Sequence, residues 1–264
     1  MKILVPVAEV STVDDEFEIE GTEIDERYLG ADLNEWDDYA IEEAVQLQEA
    51  DLADEVVTVT IGPEDSEQTI RQALAKGADR AVRIWDDALQ GVDLLDVDAK
   101  AEILAAVVED EDPDLILTGV QTGDDSWMAT GVTLAETLGF QWSAVVNELD
   151  HDALEDGTAA VHRELEGGVE ELSEVDLPAV LTIQTGINEP RYASLRGIRQ
   201  AQRKELDAKS LEELGLDDSV VEGHLELTAM YEPESESDAT IFEGSAEETA
   251  GELADLLREK GVVA

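Results

Sequence analysis

The chain has no cysteine. Disulfides, thiolate metal sites and cysteine nucleophiles are therefore excluded. Histidine is nearly as scarce: His151, His162 and His224 are the whole set. No two of them have the i, i+4 spacing of a helical metal pair, and none sits by a serine in a strand-to-helix elbow. They read as surface histidines, no metal site is expected, and acid clusters are expected by chance at this acidity. No GxxxxGK[ST] segment occurs and no GxGxxG follows the first apolar run, so both common phosphate fingerprints are missing. No apolar run approaches the roughly 20 residues of a membrane span. Residues 1–7 are too short for a secretory signal and lead straight into acidic sequence. The expectation is a soluble cytoplasmic protein with no direct membrane insertion.

Positive charge is the other shortage. Lys and Arg number 16 against 67 Asp and Glu, a formal net charge of −51. Such a figure can mark a disordered acidic chain, but 43% hydrophobic residues in regular segments argue against that. A cytoplasmic protein of a halophilic organism fits better. At molar salt the Debye length is roughly 3 Å, so surface carboxylates repel each other weakly and still hold water. The same charge disfavours nucleic acid and anionic membrane as partners.

What is present is an alternation of apolar runs and helix-period stretches, in a length suited to one α/β domain plus an extension. Residues 3–7, 56–61, 81–85, 115–118, 143–146 and 179–183 read as strands. Residues 36–49, 66–75, 99–109, 128–138 and 245–261 read as helices. Residues 11–33 look like an acidic surface hairpin or long loop, and a second hairpin is expected around Gly167-Gly168. This order implies a mainly parallel sheet covered by helices on both faces. Residues 1–190 would form that domain. Residues 191–264 would supply a loop, an extended acidic arm and a terminal helix. Ligands of such sheets sit beyond the carboxyl ends of strands where strand order reverses, here the loops after the first, second and fourth strands.

Two segments carry chemical promise. Strand 115–118 ends in Gly119, and the following loop feeds a helix carrying Thr130-Gly131. Free amides at a helix N-terminus suit a phosphate. A plain capped helix start is the competing reading, and Asp124 and Asp125 are awkward beside a phosphate unless they cap the helix or face water. The second segment is Asn188-Glu189-Pro190-Arg191-Tyr192-Ala193-Ser194-Leu195, which opens a stretch holding six of the sixteen basic residues. An exposed leucine beside Arg191 and Tyr192 suits docking, and ordinary packing at a helix start is the alternative.

Together these residues resemble the beta subunit of electron-transfer flavoproteins, the FixA family, over nearly the whole chain. The resemblance rests on Asn188 to Tyr192, on Leu177-Pro178-Ala179-Val180-Leu181-Thr182, and on Arg163-Glu164 with Gly167-Gly168. Gly62-Pro63, the segments 69–75 and 77–81, and Asn34 followed by Ala40, Glu42, Glu43 and Ala44 extend it. The resemblance implies an α/β fold, a three-layer αβα sandwich with a mainly parallel sheet of the adenine-nucleotide-binding type, and an electron carrier that transforms no substrate itself. Its partner would be an alpha subunit holding the redox FAD. The beta subunit would bind AMP, dock acyl-CoA or related dehydrogenases of fatty acid beta-oxidation, and pass electrons to a membrane quinone oxidoreductase. No catalytic residue is implied.

By position, the nucleotide pocket would use Pro6, Asn34, Glu35, Trp36, Asp37, Ile61, Thr122, Gly123, Asp124, Asp125, Ser126, Trp127, Met128, Ala129, Thr130, Gly131, Val132 and Thr133. Trp36 falls near the expected flavin ring. Docking would use Arg191, Tyr192, Ala193, Ser194, Leu195, Arg196 and Gly197, with Leu195 as anchor, and Glu164 would face the mobile flavin domain. Some relatives instead hold a second FAD in the pocket and bifurcate electrons, usually with glycine where Asp125 stands and valine where Thr130 stands. This chain agrees better with the AMP type, although Trp127 fits neither pattern. Ser126 and Ala129 also depart from the common loop residues, and Ala8-Glu9 replaces a basic pair.

Overall fold

The computed structural model describes residues 1–92, 94–232 and 239–262. In chain order, β1 (Lys2–Pro6) leads into a paired excursion of β2 (Glu9–Val13), β3 (Ile19–Glu20), β4 (Glu23–Ile24) and β5 (Leu29–Leu33). Then come α1 (Glu35–Glu49), β6 (Glu55–Ile61), α2 (Glu67–Lys76), β7 (Arg80–Ile84), α3 (Val97–Glu111), β8 (Leu115–Gly119), α4 (Thr130–Leu138) and β9 (Gln141–Val146). An antiparallel insertion of β10 (Glu148–Asp150), β11 (Thr158–Leu165) and β12 (Val169–Asp176) precedes β13 (Ala179–Ile183), α5 (Leu195–Ala201) and β14 (Leu206–Lys209). The last helix, α6 (Ala246–Glu259), follows the acidic arm.

Seven strands form one parallel sheet in the order β14-β7-β6-β1-β8-β13-β9. Its central strands are apolar on both faces, as expected where helices cover both sides. Alternation along β1 shows the division: Ile3 and Val5 join the core that holds Ile41, Leu47, Ile70 and Leu74 of α1 and α2. Leu4 joins the opposite core with Ile103 and Leu104 of α3 and Leu134 of α4. From β1 the chain runs outward through β6 and β7, then returns to place β8 on the other flank of β1. Strand order reverses between β1 and β8, and the two strands part there into a crevice.

The expected three-layer fold is present, with two differences. Helix α4 starts at Thr130 and not at residue 128, because Met128 has φ +57°, outside helical space. A seventh strand, β14, lies in the basic stretch; its four residues LDAK are too few, and Ala208 too small, for their alternation to announce it. One compact unit runs from Met1 to Ala229. Helix α5 packs on α2, and β14 pairs with β7, which ties residues 191–209 to the sheet. Lys204 Nζ caps α2 by donating to the carbonyls of Leu74, Gly77 and Ala78, while Arg71 donates to those of Ala201 and Lys204 at the end of α5. Residues Met230–Ala264 form a second unit. Its helix α6 begins with a capping box between Ser245 and Glu248 and buries none of its residues.

Candidate functional site

A cavity of about 280 Å³ opens at the carboxyl ends of β1, β6, β7 and β8. Its apolar lining includes Pro6, Val59, Ile61, Trp85, Leu89 and Leu104. Polar groups gather on the β8 side: Thr118, Thr122, Asp124, Asp125 and Thr130, with Lys100 reaching in from α3. This combination of an apolar slot and a few polar groups suits a small ligand with one flat ring and one polar end.

Asp37 holds the crevice in shape. It lies in the first turn of α1, and one carboxylate oxygen accepts the Ala8 amide at 2.8 Å while the other accepts the Gly119 amide at 3.0 Å. The loops leaving β1 and β8 are thereby fixed to each other through a single side chain. Burial pushes the Asp37 carboxyl up to about 7, against the opposing pull of these amide bonds. Gly119 permits the arrangement, since a Cβ there would stand 2.5 Å from Asp37 Oδ1 and 2.6 Å from Trp36 Cβ.

Asn34 stands at the N-cap position of α1, yet its side chain does not cap the helix. It is buried, and its amide donates to Gln121 O at 2.9 Å while its carbonyl accepts from Gly123 N at 3.2 Å. It therefore shapes the loop from beneath. Asp125 organises the rest of that loop by accepting from Thr122 Oγ1 at 2.8 Å, from Trp127 N at 3.1 Å and from Lys100 Nζ. Burial pushes its carboxyl up, but Lys100 and the Trp127 amide outweigh burial and hold it below the usual carboxylate range. Lys100 Nζ also lies 4.9 Å from the centre of the Trp127 ring. Ser126 and Met128 both take positive φ, so the loop turns sharply before the helix.

The start of α4 is suited to an anion. Ala129 at the N-cap offers no side-chain cap, so the first amides of the helix lack partners within it. The Thr118 hydroxyl, buried in the adjacent wall, has no hydrogen-bond partner. Gly131 brings α4 against the sheet, as a Cβ would meet Thr118 Oγ1 at 2.5 Å and Thr182 Cγ2 at 2.7 Å. These features fit a nucleotide phosphate. Asp124 and Asp125 do not cap α4; they belong to the turn that precedes it.

Of the residues expected at the pocket, Pro6, Asp37, Ile61, Thr122, Asp124, Asp125, Met128, Ala129 and Thr130 line the cavity. Asn34, Gly123, Ser126, Trp127 and Gly131 shape its loop or helix, while Val132 and Thr133 continue α4 half-buried. Glu35 is exposed on α1, and Trp36 donates its indole N–H to Gln184 Oε1 at 3.2 Å, away from the cavity lining. Sequence reasoning missed Trp85, Leu89 and Lys100. The loop after β7 reaches the cavity too, and the rule about carboxyl ends of strands would have included it.

The segment expected to dock partners, residues 191–197, lies outside the cavity lining. Arg191 binds Glu42 and Glu49 on α1, and Lys76 Nζ donates to the Arg191 carbonyl at 2.9 Å. Asn188 donates to Glu43 Oε2 and to Tyr39 O. The loop is thus fastened at its base, leaving Tyr192 97% and Leu195 78% exposed. Ala193 is half-buried, Arg196 is exposed, and Ser194 caps α5 by accepting the Gly197 amide at 3.0 Å. Glu164 sits elsewhere, on β11, with its amide donating to Asn147 Oδ1. Among the described residues, no group of three or more His, Asp or Glu could hold a metal ion, and no helix is long and apolar enough to cross a membrane.

Comparison with known proteins gives a consistent answer. A family model described as the electron transfer flavoprotein domain matches residues 22–214. The chain is 43% identical over 265 residues to the electron transfer flavoprotein subunit beta of Methylophilus methylotrophus, covering 98% of both chains. It is 34% identical to the mitochondrial subunit beta of Oryza sativa subsp. indica, covering all of both, and 34% identical to the Bacillus subtilis subunit beta, covering 88% of this chain and 87% of that one.

Proposed function

Since the chain belongs to the electron transfer flavoprotein family as a beta subunit, an electron carrier and not an enzyme by itself, we propose that it binds AMP and pairs with an FAD-bearing alpha subunit. The observation that carries the AMP reading is the cavity at the β1–β8 crevice. Its apolar slot beside the open start of α4 suits a flat base joined to a single phosphate. The adenine would lie against Val59, Ile61 and Trp85. The phosphate would meet the open amides at the start of α4 and the unpartnered Thr118 hydroxyl. AMP in this place would be structural, holding the 121–130 loop in register. The FAD of the heterodimer would supply the one- and two-electron chemistry.

The exposed Tyr192 and Leu195, on a loop fastened to α1, support docking of acyl-CoA or related dehydrogenases, whose electrons the heterodimer would carry toward a membrane quinone oxidoreductase. Glu164 would face the mobile flavin domain. The cytoplasm of a high-salt cell is the setting that the net charge of −51 supports. A cofactor count tests the reading. The chain is co-expressed with its alpha subunit and purified in molar salt, and the released nucleotides are quantified by chromatography. One FAD and one AMP per heterodimer is the expected result. Two FAD and no AMP would make it a bifurcating type and overturn the AMP assignment.

A further inference from the structure

Four carboxylates line the cavity, those of Glu9, Asp37, Asp124 and Asp125, and among the described lining residues Lys100 is the sole cation. A phosphate brought to the start of α4 meets an acidic surround, so something must offset the repulsion. Two of the acids are occupied by neutral donors. Glu9 accepts from Ser66 Oγ and Thr69 Oγ1, and Asp37 accepts from the two backbone amides. Asp124 accepts from the amides of Ser11 and Asp125 and is exposed to solvent, where its charge is screened. Asp125 is the acid that matters most: it is half-buried, lies in the turn that ends at α4, and pairs with Lys100.

Resting on the AMP reading above, we propose that Lys100 is the residue that makes this pocket select the phosphorylated nucleoside, by cancelling the charge of Asp125 and keeping the 122–127 turn compatible with a phosphate. Trp127 supports it from outside, its ring 4.9 Å from the ammonium. Lys100 stands on α3, a separate element, so the turn is held by a charge that arrives through the tertiary fold. Adenosine lacks the phosphate and gains nothing from this cancellation. The ratio of AMP to adenosine affinity is therefore the quantity that Lys100 controls.

The test uses the heterodimer stripped of nucleotide, with AMP and adenosine titrated calorimetrically at one fixed KCl concentration. Lys100→Met is expected to weaken AMP about tenfold and leave adenosine unchanged, which also reports that the pocket is intact. Lys100→Arg keeps the charge and should retain AMP binding. The double variant Lys100→Met with Asp125→Asn removes both charges and should recover most of the lost AMP affinity. Equal loss of AMP and adenosine in Lys100→Met would reduce Lys100 to a general structural role and overturn the proposal, as would no loss at all or no recovery in the double variant. A wild-type heterodimer that takes up no AMP would overturn the nucleotide reading itself, and this inference with it, and is told apart by the wild-type titration alone.

Discussion

Arg191 and Glu42 are joined at three points: the Arg191 amide, Nε and one terminal nitrogen donate to the Glu42 carboxylate at 3.1, 2.7 and 3.0 Å. The contact fixes the base of an exposed loop to the middle of α1. Arg191→Met should lower stability by roughly 2 kcal/mol, because it leaves a buried carboxylate without its main donor. Burial pushes the Glu42 carboxyl up, but the bonds from Arg191 and Gln46 prevail and hold it below its ordinary 4.5. The contribution is thus present above about that pH and lost as pH falls through the lower folded value. Urea unfolding of wild type and variant at neutral and acid pH checks this: the gap between them should close at acid pH.

Asp37 has the opposite sign. Its folded value is raised from 3.8 to about 7 by burial. Its contribution to stability is therefore full below 3.8 and lost as pH rises to about 7. Asp37→Asn removes the titration and turns a donor toward one of the two amides, so one bond is lost. The variant should show a flatter stability profile between those limits, measured by denaturant unfolding across the range. A slope equal to that of wild type would show that Asp37 titrates normally.

Gly119→Ala places a methyl group against Asp37 and Trp36 at distances that require one of them to move. A loss of about 1–3 kcal/mol is expected from such overpacking. Nucleotide affinity should fall along with it, because the Gly119 amide leaves Asp37. Thermal melts and AMP titration on the same sample give both readouts.

These contacts mark the boundary of what the sequence made legible. Runs such as VVTVTI and LILT announce buried parallel strands, and Gly77 and Gly139 announce helix ends. Asn34 and Asp37 are legible as pocket residues, and Asp37 does line the cavity, but the sequence does not show that their side chains bond to backbone amides and carbonyls of the pocket's own loops. A side chain's partner depends on a crossing of distant segments, which local periodicity does not encode. Lys100 was invisible for the same reason: it reads as one more surface lysine on a helix, until α3 brings it to Asp125.

Leu195→Ala should leave the fold and the cofactor content unchanged, since this side chain is 78% exposed. Reduction of the heterodimer by an acyl-CoA-type dehydrogenase should fall about tenfold at limiting concentrations, the value of one apolar anchor. Stopped-flow reduction of the FAD measures it, and an unaltered rate would remove Leu195 from the docking surface.

A net charge of −51 should make stability depend on salt. The melting temperature is expected to climb steadily from low to molar KCl as self-repulsion is screened. A midpoint that does not move would count against adaptation to a saline cytoplasm.

The edge position of β14 also bears on how the chain emerges from the ribosome. Its partner β7 is synthesised long before it, and the two meet only when residues 206–209 have left the exit tunnel. Until then β7 is an open edge of the growing sheet, able to pair with other nascent chains.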